Sequence, residues 1–115
     1  MPEFVYKVAD SATYEASLSA GRFVGMPVDA RDGYIHFSTA EQLRDTLRLY
    51  FAGQGNLVLF AVRTDGVGTL FRWEPSRGGQ LFPHLYGELA MNAVGPVATI
   101  AVATDGAVEL PEWVR

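Results

Sequence analysis

Helical periodicity in this chain stops near its midpoint. Ahead of Gly53 two stretches carry helix signals. Beyond it the chain reads as strands separated by Gly, Pro and Asp-Gly turns, with no regular strand–helix alternation. A parallel, doubly wound sheet needs a crossover helix between successive strands, and the second half offers none. The pattern predicts an α+β fold with two main helices in the N-terminal half rather than a doubly wound sheet.

Individual elements follow from local chemistry. Phe4-Val5-Tyr6-Lys7-Val8 is aromatic and β-branched and reads as a first strand. Asp10-Ser11 offers an N-cap for a helix over 12–20, with Tyr14 and Leu18 on its buried face and Gly21 just past its end. Arg22 to Asp32 holds Gly25, Pro27 and Asp29 and reads as an irregular connection. Tyr34 to Phe37 regains strand character. Ser38-Thr39-Ala40-Glu41-Gln42 contains two overlapping capping boxes, Ser38 with Glu41 and Thr39 with Gln42. They open a helix whose Leu43, Leu47, Tyr50 and Phe51 share one face and which ends at Gly53 or Gly55. Leu57 to Val62 is continuously apolar, as in a strand buried on both sides. Leu70 to Glu74, His84 to Leu89 and Val97 to Ala103 are further strands, and Pro75 to Gly79 is a mobile loop by composition. Ala61-Val62-Arg63-Thr64-Asp65-Gly66 recurs as Ala101-Val102-Ala103-Thr104-Asp105-Gly106. Each copy reads as a buried strand finished by an Asp-Gly turn, and two copies do not make a solenoid.

Composition narrows the function classes. The 115 residues suffice for a single domain, 1–115, with a core of its own. The absence of cysteine excludes disulfides, thiol nucleophiles, zinc–thiolate sites and iron–sulfur clusters. The net charge is −4, and eight arginines and one lysine are spread without a basic run, which argues against nucleic acid as a partner. No stretch approaches the ~18 apolar residues of a membrane helix. Met1-Pro2-Glu3 lacks the flank of a signal peptide, so a cytoplasmic location with no membrane partner is expected.

The chemistry concentrates around two histidines, His36 in Gly33-Tyr34-Ile35-His36-Phe37-Ser38-Thr39 and His84 in Phe82-Pro83-His84-Leu85-Tyr86-Gly87. Imidazole exchanges protons near neutral pH and binds anions. In a strand over 34–37, Ile35 and Phe37 point to the core, so His36 and Tyr34 share the other face. Ser38 and Thr39 follow at a helix N-terminus, which favours an anion. By the same alternation His84 shares a face with Tyr86, and Trp73 and Glu74 are candidate neighbours from an adjacent strand. Each histidine also has a structural alternative. His36 can cap its surroundings by hydrogen bonding, and His84 can be incidental to a packing cluster of Phe82, Leu85 and Trp73. Ser38 lacks a Gly-x-Ser-x-Gly elbow, and Gly66-Val67-Gly68 lacks a dinucleotide loop's third glycine. No His-x-x-x-His pair supports a metal site, so none is expected.

These motifs, together with Arg72-Trp73-Glu74, resemble a family of small bacterial proteins, domain-of-unknown-function family nine-five-two, over nearly the whole chain. The resemblance implies an ADP-ribosyltransferase-like fold, with a split, antiparallel-rich β-sheet around a cleft, and in those enzymes the cleft binds NAD. Gly33 to Ser38 looks like the Gly-x-Tyr-Phe strand of the poly-ADP-ribose polymerase branch, which places His36 near the tyrosine that stacks on nicotinamide. His84 falls near the position of the catalytic glutamate. Relatives usually carry Tyr-His in the first strand where this chain has Tyr6-Lys7, and Lys7 can meet a phosphate as a cation. A histidine in place of the glutamate cannot supply negative charge to a cationic sugar, which argues against ordinary mono-ADP-ribosyl transfer. The tRNA 2′-phosphotransferases are relatives that work without that glutamate, but RNA suits a basic surface that this chain lacks.

The resulting expectation is a nucleotide-binding cleft for NAD or an ADP-ribose-like ligand. Its candidate catalytic residues are His36 and His84, and its candidate ligand-binding residues are Lys7, Tyr34, Ser38, Thr39, Trp73, Glu74 and Tyr86. The competing expectation is a non-catalytic ligand- or protein-binding module that keeps the fold.

Overall fold

The apolar run at the centre of the sequence forms the spine of the molecule. The computed structural model describes residues 2–115. Strand β4 (Leu57–Arg63) lies between β1 (Phe4–Asp10) and β8 (Val94–Ile100), antiparallel to both. Its side chains alternate between two cores. Val58, Phe60 and Val62 pack with Val5, Phe23, Ile35, Phe37 and Leu85 on one face. Leu57, Leu59 and Ala61 pack with Tyr6, Val8, Leu43 and Leu47 on the other. A strand buried on both faces has no polar side to show, which is why its sequence does not alternate.

Helices cover the first half as its patterning requires. Helix α1 (Ser11–Ala20) starts where the Asp10 carboxylate accepts a bond from the Thr13 amide (2.7 Å) and ends at Gly21 with φ 78°. Its buried residue is Ser17, whereas Leu18 is exposed, contrary to expectation. Ser17 spends its hydroxyl on the Thr13 carbonyl and the Val24 amide, so a small polar side chain can be buried there. Helix α3 (Ala40–Tyr50) buries Leu43 and Leu47. Thr39 and Gln42 close its capping box, while Ser38 turns its hydroxyl to Thr46 instead. The helix stops at Phe51, earlier than the glycines suggest, and Tyr50 stays largely exposed.

Arg22 to Asp32 is not irregular. It contains β2 (Arg22–Phe23) and a short helix, α2 (Pro27–Asp32). Pro27 opens that helix and Gly33, at φ 85°, closes it. This is the proline-first, glycine-last signature, compressed into six residues.

A second sheet runs β3 (Ile35–His36), β6 (Leu81–Leu85), β5 (Phe71–Pro75), antiparallel throughout. Strand β6 begins earlier than the expected 84–89, and Tyr86-Gly87 is a turn after it. The Phe37 amide reaches the Pro83 carbonyl (3.0 Å), but Pro83 has no N–H to return, so the β3–β6 ladder ends at His36. The chain then pairs with β1 through a single bridge, Tyr6 with Ser38, at 2.8 and 2.9 Å. That bridge joins the two three-stranded sheets. Strand β7 (Leu89–Ala90) pairs with β2. The second repeat copy differs from the first, because β8 ends at Ile100 and residues 101–103 are no longer in a ladder. The loop expected at 75–79 is a tight 3₁₀ turn at Arg77–Gly79. The architecture is mixed α+β with antiparallel sheets and helices in the N-terminal half. Among the described residues, no helix is long and apolar enough to cross a membrane.

Candidate functional site

The second sheet has one apolar face and one polar face, and the register decides which residues meet. Ile35 stands opposite Leu85 and Leu85 opposite Phe71, all toward the core. One step along, His36 stands opposite His84, and His84 opposite Arg72. The period of two puts these three side by side on the other face. The imidazole rings lie 5.6 Å apart, edge to face. Tyr34 bridges them, stacked on His84 at 4.2 Å and tilted against His36 at 4.6 Å, with Tyr86 5.0 Å away. Burial, then the charges of Asp32 and Glu74, raise the Tyr34 hydroxyl above its ordinary pKa.

His84 is 3 % exposed. Its Nδ1 faces Glu74 Oε1 at 2.9 Å, and the Tyr86 hydroxyl donates to the same oxygen at 2.6 Å. In the neutral ring a carboxylate acceptor places the proton on Nδ1 and the lone pair on Nε2. Nε2 has no partner among the described residues, yet none of their buried side-chain nitrogens is left unpaired, so this atom reaches solvent. The hydrogen bonds from Tyr86 and then His84 lower the Glu74 pKa, and the same contact pushes Tyr86 up to about 12.

His36 differs. Its Nδ1 faces Asp29 Oδ1 at 2.7 Å and its Nε2 faces Asp32 Oδ2 at 2.9 Å. Both carboxylates come from α2. Asp29 is the hub: besides the ring it accepts the Lys7 ammonium (2.9 Å), the His36 amide (3.0 Å) and the Met26 amide (2.7 Å). Burial favours a protonated Asp29, but the His36 hydrogen bond and the Lys7 charge outweigh it and hold its pKa at about 2. Burial also lowers Lys7, against the pull of Asp29.

A cleft of about 520 Å³ opens at the seam between the two sheets, roofed by α2 and α3. Tyr34, His36, His84, Ser38 and Lys7 border it, as does Arg77 from the turn after β5. A cleft of this size accommodates a nucleotide-sized ligand.

Of the sequence-derived candidates, His36, His84, Tyr34, Glu74 and Tyr86 form one contiguous cluster. Ser38 lies on the cleft wall, buried and hydrogen-bonded to Thr46 (2.8 Å). Lys7 is at the wall but is no free cation, because its ammonium is 2.9 Å from Asp29 and it is 5 % exposed. Two candidates fall elsewhere. Thr39 spends its hydroxyl and amide on the capping box with Gln42 and is not among the residues that line the cleft. Trp73 alternates with Glu74 and points to the core face, against Phe71. Asp29, Asp32 and Arg77 were not among the candidates. The Pro27 and Gly33 punctuation marked the helix that carries the two aspartates, whereas no sequence signal separates Arg77 from an ordinary loop arginine.

The fold and site define a class: an α+β protein with paired antiparallel sheets and a histidine–tyrosine cluster at the cleft between them. The chain belongs to the family described as Protein of unknown function (DUF952), which matches residues 8–97. It is similar to protein CC0527 from Caulobacter crescentus, 42% identical to the chain in its crystal structure, with a TM-score of 0.87 over 92% of this chain and 93% of that one. The solution NMR structure of CC0527 aligns with a TM-score of 0.80 at 42% identity, covering 93% and 91%. No functionally curated protein matches the chain.

Proposed function

We propose that the cleft binds a nucleotide of the NAD or ADP-ribose class and that His84 is its proton acceptor. The observation that carries this reading is the asymmetry of His84: Nδ1 is fixed on Glu74 and Nε2 is open. A buried imidazole in the wall of a cleft, oriented by a carboxylate and with its second nitrogen unpaired among the described residues, is the arrangement of a general base. Tyr34 offers a flat ring beside it for a base or a nicotinamide. The two sheets, joined by one bridge and separated by a cleft, fit the ADP-ribosyltransferase-like architecture that the family resemblance implies.

Bound NAD would supply an anomeric carbon with nicotinamide as leaving group. The chain's part is at His84. Nε2 accepts the proton of an acceptor hydroxyl or water as that oxygen bonds to the sugar, and nicotinamide departs with the electrons of the broken C–N bond. Glu74, on the neighbouring strand, stabilises the imidazolium that forms; it does not take the place of a glutamate on the cationic sugar.

Ligand binding to the native state alone must raise Tm. NAD or ADP-ribose at millimolar concentration is expected to do so, and no rise with either overturns the reading. Where nicotinamide release from NAD is measured, Glu74→Gln is expected to lower it at least about tenfold while the ligand-induced Tm rise persists. Equal release by the variant and the parent would remove the Glu74–His84 pair from the chemistry.

A further inference from the structure

The cations around the cleft are not equivalent. Lys7 is matched to Asp29 at 2.9 Å, and Arg31 to Asp32 at 3.0 Å. Arg77 has no carboxylate within ion-pair distance among the described residues, although it too lines the cleft. It is half-buried on a turn whose other residues, Ser76, Gly78 and Gly79, are exposed. Its guanidinium lies 4.8 Å from the Phe82 ring centroid and 5.8 Å from that of Tyr50. Stacking of this kind fixes the plane of an arginine without neutralising it.

The hydrogen bonding leaves most of its donors free. Nη2 donates to Thr46 Oγ1 over a long 3.4 Å. Thr46 gives its own proton to the Gln42 carbonyl and accepts from Ser38 and Arg77, so this contact occupies one of the guanidinium N–H donors. The other N–H groups of Arg77 have no partner among the described residues. Gly78 and Gly79, at φ 69° and 79°, hold the turn in left-handed geometry that a side chain would strain.

We propose that Arg77 is the anion-binding subsite of the cleft and takes a phosphate or diphosphate group of the ligand. A planar fork with several unpaired N–H donors, held between two rings, matches phosphate oxygens bidentately. Arg77 and His84 line the same cleft, and Phe82, whose ring lies under the guanidinium, is two residues from His84 on β6. A nucleoside diphosphate or its sugar conjugate with its phosphate at Arg77 extends along the wall that holds His84. This rests on the cleft being the ligand site but not on His84 performing chemistry.

The test uses inorganic pyrophosphate as the probe, with the Arg77 Nε–H signal in a ¹H–¹⁵N spectrum and Tm as readouts. Pyrophosphate is expected to shift that signal and raise Tm in the parent and in His84→Gln alike. In Arg77→Gln affinity should fall at least about tenfold, and Arg77→Lys should recover part of it. Circular dichroism checks that both variants fold. An unmoved Arg77 signal, or undiminished affinity in Arg77→Gln, overturns the proposal. Failure of the His84 chemistry is read separately, as nicotinamide release that survives in His84→Gln.

Discussion

His36 and His84 face each other across one strand pair and are the same residue, yet they are bound into the molecule differently. His36 holds a carboxylate on each nitrogen, both from α2, and one of them is also the partner of a buried lysine. His84 holds a carboxylate on one nitrogen and leaves the other open. The first arrangement clamps a short helix to the sheet edge and uses up the ring. The second orients the ring and keeps one atom available. Strand position alone does not separate a structural histidine from a chemical one; the number of nitrogens already engaged does.

The comparison is most exposed to attack at Asp29. Asp29→Asn keeps the shape but leaves the Lys7 ammonium buried without its counter-charge, and it removes the anchor of His36. A loss of about 3–5 kcal/mol is expected in urea unfolding. A loss below about 1 kcal/mol would mean that the clamp around His36 is not structural after all.

Acid sharpens the same contrast. The folded-state pKa of Asp29, about 2, lies below its ordinary 3.8, so the folded state binds fewer protons in that window. The associated stability, about 2 kcal/mol, is fully present above the ordinary value and lost as pH falls through it toward the folded one. Urea midpoints of the parent should drop over that range more than those of Asp29→Asn. Parallel curves would rule out Asp29 as the source.

The His84 side should respond least. Tyr86→Phe removes one hydrogen bond to an exposed part of Glu74, so Tm should move less than for either test above. Its sharper signature is spectroscopic. The parent should contain a tyrosine that ionises only at about pH 12, and ultraviolet titration of the variant should lack it. A large Tm loss in Tyr86→Phe would show that the His84 side is a structural clamp too.

Much of the site was legible because periodicity is short-ranged. Alternation over 34–37 put Tyr34 and His36 on one face, and Ile35 and Phe37 in the core, as the structure has them. The pairing of Glu74 with His84 was open to the same logic once both segments read as strands. Trp73 faces the core because it alternates with Glu74 along β5, so one of the two must point away from the site. Thr39 was misplaced because a capping residue spends its polar atoms on its own helix. The burial of Leu18 failed because α1 carries almost no apolar stripe, and Ser17 took the buried position.

The sequence by itself determined the elements and their faces: a central apolar strand, helices confined to the first half, and two histidines in polar–aromatic strand segments. These depend on neighbours a few residues apart, and local sterics and capping encode them. Only the tertiary structure decided that Lys7 is tied to Asp29, that His36 is used up while His84 is not, and that Arg77 is left without a counter-charge. Lys7 and Asp29 are 22 residues apart, Glu74 and His84 10, and Thr46 and Arg77 31, while the partners of His36, 7 and 4 residues away, meet it only because α2 folds back on β3; each outcome depends on which hydrogen-bonding atoms remain after the chain has closed on itself.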